Sequence, residues 1–239
     1  MMWLAFVAAF LVLERDFARH QINGDPHTLI ALGALSGLIG AKLWHVFESP
    51  HELAADPTGV IFSRTGFAWY GGFVAGILTI VFLARRWHVP ILRMLDACAP
   101  ATALGYAVGR IGCLLSGDGD YGKPTSLPWG MSFPNGLVPT TERVHPTPIY
   151  EFLVCAVIAW VLWRRGARPL PQGEILAGFL VLMGLERFLV EFIRINPRIF
   201  FGMSNAQMAS AITAMAGVAL WCVVRAKGHP EAQTASVRV

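Results

Sequence analysis

Charge is scarce in this chain. Only 14% of its 239 residues are Asp, Glu, Lys or Arg, against 55% hydrophobic residues, and a mean hydropathy of +0.53 excludes an ordinary soluble domain. Runs of about 10 alternating residues, which an outer-membrane barrel requires, are missing. Cys98, Cys113, Cys155 and Cys222 lie in or beside apolar runs with no CxxC pair, so no disulfide is expected. His20, His27, His45, His51, His88, His145 and His229 lack metal-ligand spacing, and no GxxxxGK[ST] loop occurs. Neither a metal nor a cofactor is therefore expected.

What remains is apolar sequence in long stretches. Seven candidate spans lie at 1–13, 28–47, 67–84, 92–115, 148–163, 173–193 and 205–224, which predicts an all-α integral membrane protein. The first stretch reaches about 20 Å of a roughly 30 Å core. It lacks the basic start and small-residue cleavage site of a signal peptide, so a first span cut short at its start is expected. Eleven of the 19 basic residues fall in segments 14–27, 84–93, 164–173 and 225–239; Arg64, Lys123, Arg143, Arg194 and Arg198 fall in the alternate loops. Cytoplasmic loops retain Lys and Arg, so the N-terminus is expected outside and the C-terminus in the cytoplasm. The net charge of +4 reflects this collar, and no nucleic-acid partner is expected. The organisation predicted is one polytopic domain over 1–225, with an outer loop at 116–147 and a cytoplasmic tail at 226–239.

An ionisable residue at mid-bilayer costs about 2.5–3.5 kcal/mol and tends to face a partner or a cavity. In the sixth stretch, GLERFLVEFIR places Arg187, Glu191 and Arg194 four and three residues apart. On a continuous helix they lie within about 60° of one another, while Glu186 points about 100° away. Such a ladder is either a structural ion-pair network or an anion site, arginine being suited to phosphate. The stretch GRIGCLLSGDGDYG ends the fourth span with Arg110, followed by glycines that allow close backbone approach. Asp118 and Asp120 there serve as acceptors, as a base or simply as turn residues. The polar connection that follows carries a tryptophan and phenylalanines that favour an ordered loop at the interface. It ends in HPTPIYE, where Tyr150 is either an interfacial anchor or part of a site with Glu151.

GLIGAKLWHVF, GFAWYGGFVAG, LDACAPATALGYAVGRIGCLLSGDGDYG, VHPTPIYEFL, GLERFLVEFIR and GMSNAQMAS occur in this order. As a set they resemble the bacterial prolipoprotein diacylglyceryl transferases over roughly residues 28–224. The resemblance implies a multi-pass enzyme of the bacterial inner membrane with seven spans. Its partners would be phosphatidylglycerol, a lipobox-containing prolipoprotein and membrane lipid. It would transfer a diacylglyceryl group to the lipobox cysteine, forming a thioether and releasing glycerol 1-phosphate. By the same resemblance Arg110 and Arg187 engage the phosphate, Glu191 orients Arg187, and Gly122 closes the signature loop. Asp118 takes the place of a family glutamate, His145, Tyr150 and Glu151 match the HPxxxYE block, and Arg194 adds to substrate binding.

Departures accompany the resemblance. Cys113 and Ser116 stand where the family has asparagines, and Tyr70 replaces a histidine that is a candidate for thiol activation. A tyrosine with pKa near 10 is a poor base at neutral pH. His45, on the neighbouring span, is one candidate to act instead of Tyr70, and Asp118 and Asp120 are the others. Two other readings stay open: the same phosphate clamp acting on another phospholipid donor or acceptor, and a non-catalytic lipid-binding or transport protein. A transporter built from repeats is not indicated, because no internal repeat is visible.

Overall fold

The computed structural model describes residues 1–63, 66–199 and 202–227. Arg64, one of the outer-loop cations counted above, and the expected tail from residue 228 on, with His229, lie outside the described residues. The chain forms two compact units, Met1–His20 with Leu95 onward, and Gln21–Met94.

In the second unit, α2 (Pro26–Glu48) is followed by the short helices α3 (Pro50–Ala55) and α4 (Pro57–Phe62) and then by α5 (Trp69–Arg86). Helix α2 starts where sequence chemistry says it should. Asp25 accepts from the backbone N–H groups of His27 (3.1 Å) and Thr28 (2.9 Å), with Pro26 in the first turn. The Thr28 and His27 bonds hold the Asp25 carboxyl down at about 2. Helices α2 and α5 pack backbone to backbone: a Cβ on Gly40 would strike Ala75 and the Gly71 carbonyl, and one on Gly71 would strike the Gly40 carbonyl. Small residues let membrane helices approach this closely. Thr79 Oγ1 donates to Ser36 Oγ at 2.7 Å across the same pair. On the outer face, Leu35, Leu38, Ile39 and Phe47 of α2 are exposed, as in a helix that faces lipid.

The first unit holds α1 (Met2–Arg19), most of α6 (Ile91–Ser116), the strands β1 (Met131–Phe133) and β2 (Thr140–Val144), α7 (Thr147–Arg165), α8 (Glu174–Val190) and α9 (Asn205–Ala226). Its core joins Ala99 and Ala103 of α6 to Ile158, Ala159 and Leu162 of α7 and Ile175 of α8. Gly184 of α8 and Gly217 of α9 let these two helices touch, since an added Cβ would lie 2.8 Å from Ser210 O in one case and 2.9 Å from Ala177 O in the other. Asp96 of α6 caps α8 from outside, accepting from Gly173 N at 2.6 Å and Leu176 N at 2.7 Å. At this end Glu174 accepts from Arg165 of α7 (3.2 Å) and Arg225 of α9 (2.9 Å), tying three helices together.

Helices α1, α2, α5, α6, α7, α8 and α9 coincide with the seven apolar stretches. Four of them, α2, α6, α7 and α9, are long and apolar enough to cross a membrane among the described residues. The all-α expectation needs one correction: the chain is mostly helical, with a two-stranded antiparallel sheet in the loop after α6. Met131 pairs with Val144 and Phe133 with Thr140, with an irregularity between them. Pro134, Asn135 and Gly136 turn the chain between β1 and β2, the latter carrying two Thr and a Val, and Gly136 N donates to Phe133 O at 3.2 Å. Tyr121 stacks on Phe133 with centroids 5.3 Å apart and donates its hydroxyl to Val138 O at 2.8 Å, so the loop is packed onto its own start.

Candidate functional site

The site is built where the ends of α6, α7 and α8 meet in the first unit. After Arg110, α6 continues to Ser116, and the chain turns through Gly117 and Gly119, both with positive φ (57° and 90°). It returns at Gly122, wedged between two other segments. Gly122 N donates to His145 O at 2.8 Å, Lys123 N donates to Ile193 O at 2.9 Å, and Gly122 forms an isolated antiparallel bridge with Arg194. A Cβ there would lie 2.9 Å from Ile193 Cγ2 and 3.0 Å from both Ile193 O and His145 Cβ. Only glycine fits.

Around this backbone junction the charges interlock. Glu151, in the first turns of α7, has no exposed surface. Its Oε2 accepts from Arg110 Nε at 2.6 Å and from Arg110 Nη2, and lies 3.6 Å from Arg194 Nη1; its Oε1 accepts from the Tyr106 hydroxyl at 3.3 Å. Arg110 Nη1 donates to Asp120 Oδ2 at 2.6 Å, and Arg194 Nη2 pairs with the other Asp120 oxygen. Burial alone pushes the Asp120 carboxyl up, but Arg194 and Arg110 outweigh it and hold the group below the usual carboxylate range.

Glu191 forms the second knot. It accepts from Arg187 Nη1 at 2.6 Å through one oxygen, and from Asn196 Nδ2 and Ser204 Oγ, both at 2.7 Å, through the other. Ser204 is also the N-cap of α9 in a capping box with Gln207. Arg187 keeps 26% of its side chain exposed, against 10% for Arg110 and 8% for Arg194. It is the arginine of the three most open to a ligand.

The structure brings together Arg110, Gly122, Glu151, Arg187, Glu191 and Arg194. The ladder on a single helical face needs correction. Helix α8 ends at Val190, so Arg194 lies beyond it, paired mainly with Asp120 and Glu151 and only 3.9 Å from Glu191. The cause is tertiary: the N–H groups of Ile193 and Arg194 still return to Val190 O, but the Ile193 carbonyl accepts from Lys123 N and Arg194 bridges to Gly122, so no further helical turn is built. Asp120 is the aspartate that meets the arginines. Asp118 accepts from Asp120 N at 3.2 Å, which is turn chemistry. His145 Nδ1 lies 3.3 Å from the Tyr150 hydroxyl, which accepts from Trp129 Nε1 at 2.8 Å, so this pair belongs to the loop above the knot.

Tyr70 and His45 lie in the other unit. Tyr70 is exposed and 6.4 Å from the Trp44 ring, and the His45 ring packs against Gly66. Sequence reasoning missed Tyr106, Asn196 and Ser204 as partners of the site. The capping pattern of Ser204 and Gln207 was the one available signal. Glu186 lies beside Arg187 on α8 and faces inward. It is buried, within electrostatic reach of Glu151, Arg187, Arg110 and Arg194, and its Oε2 has no hydrogen-bond partner among the described residues. Ligand atoms of Cys113, Asp118 and Asp120 lie within 4.8 Å of one another, but both Asp120 oxygens already face guanidiniums.

The amino-acid sequence also matches known proteins. The phosphatidylglycerol–prolipoprotein diacylglyceryl transferase of Paracidovorax citrulli is 34% identical over 246 residues, covering 93% of this chain and 89% of its own length. The proteins of the same name from Coxiella burnetii and Clostridium tetani are 34% and 29% identical, covering 91% and 94% of this chain and 85% and 91% of their own. The family model for prolipoprotein diacylglyceryl transferase matches residues 1–223, so it takes in α1 as well as every element of the charge cluster. This chain belongs to the prolipoprotein diacylglyceryl transferase family.

Proposed function

We propose that this chain transfers the diacylglyceryl group of phosphatidylglycerol to the lipobox cysteine of a prolipoprotein, forming a thioether and releasing glycerol 1-phosphate. It does so as a seven-span protein of the bacterial inner membrane, N-terminus outside and C-terminus in the cytoplasm. The observation that carries the reading is the convergence of Arg110, Arg187 and Arg194 on Glu151, Asp120 and Glu191 at one end of the helices.

In the reaction the thiolate sulfur attacks the diacylglyceryl carbon, a C–S bond forms, and the C–O bond to phosphate breaks. The electron pair stays on the phosphate oxygen, so a diester with one negative charge becomes a monoester carrying more. Guanidiniums already aimed at that position stabilise the transition state without reorganising. Three guanidiniums here face three paired carboxylates, so a phosphate enters by displacing one. Asp120, with 29% of its side chain exposed, is the one that yields; Glu151 and Glu191 are sealed at 0% and 1%. Arg110 and Arg194, released by Asp120, receive the phosphate together with the more exposed Arg187, whose direction Glu191 fixes. His45, Tyr70 and Asp118 are the groups to test as acceptor of the thiol proton.

The test gives the purified chain phosphatidylglycerol and a lipobox peptide and follows glycerol phosphate release together with the mass of the peptide. Release that disappears in Arg110→Ala and Arg187→Ala supports the reading, and His45→Ala, Tyr70→Phe and Asp118→Asn then sort the proton acceptors. Absence of lipidated peptide from wild-type protein that still binds phospholipid would sink it in favour of a lipid-binding role.

A further inference from the structure

The far end of the first unit carries a cluster of arginines beside an apolar groove. Two adjoining hollows, of about 490 and about 250 Å³, share Val161 and Arg165. The larger is bordered by Arg164, Arg165 and Arg168, and the smaller is an apolar groove between α7, α8 and α9, lined by Leu162, Ile175, Gly178, Val181, Leu182 and Trp221. Glutamate 174 stands at the junction, already paired with Arg165 and Arg225. Among the described residues, no carboxylate pairs with Arg164 or Arg168, and both are exposed. Asp96, the other nearby carboxylate, is held on the α8 N-terminus. The mouth of the groove is therefore positive, and its floor is aliphatic.

Its depth in a bilayer is marked by aromatic residues. The Arg164 guanidinium lies over the Trp160 ring at 5.7 Å and that of Arg225 over Trp221 at 5.2 Å, an arrangement suited to the headgroup boundary. Glycine 178 keeps the groove open: a Cβ there would lie 3.3 Å from Leu162 Cδ2. This place is 14 residues along α7 from Glu151, about 21 Å of helix, so it is separate from the clamp.

We propose that this groove holds an anionic phospholipid of the leaflet at that end, its phosphate against Arg164 and Arg168 and one acyl chain lying between α7, α8 and α9. A positive mouth above an apolar cleft discriminates a phosphate without a compensating cation from a zwitterionic headgroup. The site does not depend on the transferase chemistry. It would exist equally in a protein that only binds lipid.

The experiment reconstitutes the full chain in bilayers with phosphatidylglycerol carrying a diazirine in the headgroup-proximal half of one acyl chain, or phosphatidylcholine with the same chain. Adducts are then mapped by mass spectrometry. The expected result is labelling within 161–182 and at Trp221 that is about fivefold higher for the anionic lipid and falls to the zwitterionic level in Arg164→Gln/Arg168→Gln. Gly178→Leu, which fills the groove and leaves the charges in place, should remove the same adducts. Labelling around Glu151 stays constant and reports an intact fold in every variant. Equal labelling by the two lipids, or labelling indifferent to both variants, overturns the proposal.

Discussion

Glu151 and Arg110 are joined by two nitrogens of one guanidinium on a single carboxylate oxygen, with the carboxylate sealed from solvent. Removing one partner of such a pair leaves the other buried and uncompensated. Glu151→Gln is expected to lower stability by about 3–5 kcal/mol, read as a fall in the melting temperature in detergent. Arg110→Lys should lower it as well, because an ammonium cannot bridge Glu151 and Asp120 as the planar guanidinium does.

Asp120 occupies the position of an anion between Arg110 and Arg194. If it must leave for phosphate, Asp120→Asn weakens a competitor. Inhibition by glycerol 1-phosphate should then tighten about fivefold, equivalent to about 1 kcal/mol. An unchanged or weaker inhibition constant would show that the phosphate seats elsewhere.

The same residue sets an acid limit. Its carboxyl is held below the unfolded value of about 3.9, so its contribution is complete above that pH and is lost as pH falls through the lower folded value. The melting-temperature difference between wild type and Asp120→Asn should be flat from pH 5 to 8 and shrink below about pH 4. A difference that changes between pH 6 and 8 contradicts this assignment.

Gly122→Ala places a methyl group 3.0 Å from the Ile193 carbonyl and 2.9 Å from its side chain. Backbone cannot yield as a side-chain end can, so a loss of about 1–3 kcal/mol is expected. Transferase turnover should fall with it, because the bridge to Arg194 opens. Turnover at wild-type level in this variant would separate the bridge from the site.

Ser204 serves a helix cap and Glu191 at once. Ser204→Ala should cost about 1–2 kcal/mol. Ser204→Asp retains a capping acceptor but sets a second carboxylate against Glu191, so it should melt lower than the alanine variant. The reverse order would mean that the cap alone matters.

Most helices were legible in the sequence because lipid-facing helices need uninterrupted apolar runs, and α2, α6, α7 and α9 supply them. The site was legible in its members and illegible in its pairing. Nothing between Arg187 and Arg194 breaks a helix, and Pro197 is the first residue to do so. The earlier stop at Val190 depends on Lys123, some 70 residues away, taking the carbonyl of Ile193, and on Gly122 bridging to Arg194. The hairpin was hidden for a related reason. Strands of three and five residues leave little periodicity to read. Asp120 and Asp118 are equivalent by composition, and only the turn through Gly119 decides which one meets the arginines.

The spacing of the Arg110 partners has a consequence for biogenesis. Glu151 follows Arg110 by 41 residues, so at ribosomal speeds of about 5–20 residues per second the guanidinium waits roughly 2–8 s for its buried carboxylate. Arg194 arrives 74 residues after Asp120. Until Glu151 is made, Arg110 has only the part-exposed Asp120, 10 residues on, as its carboxylate partner, and a chain interrupted before α8 carries half a clamp.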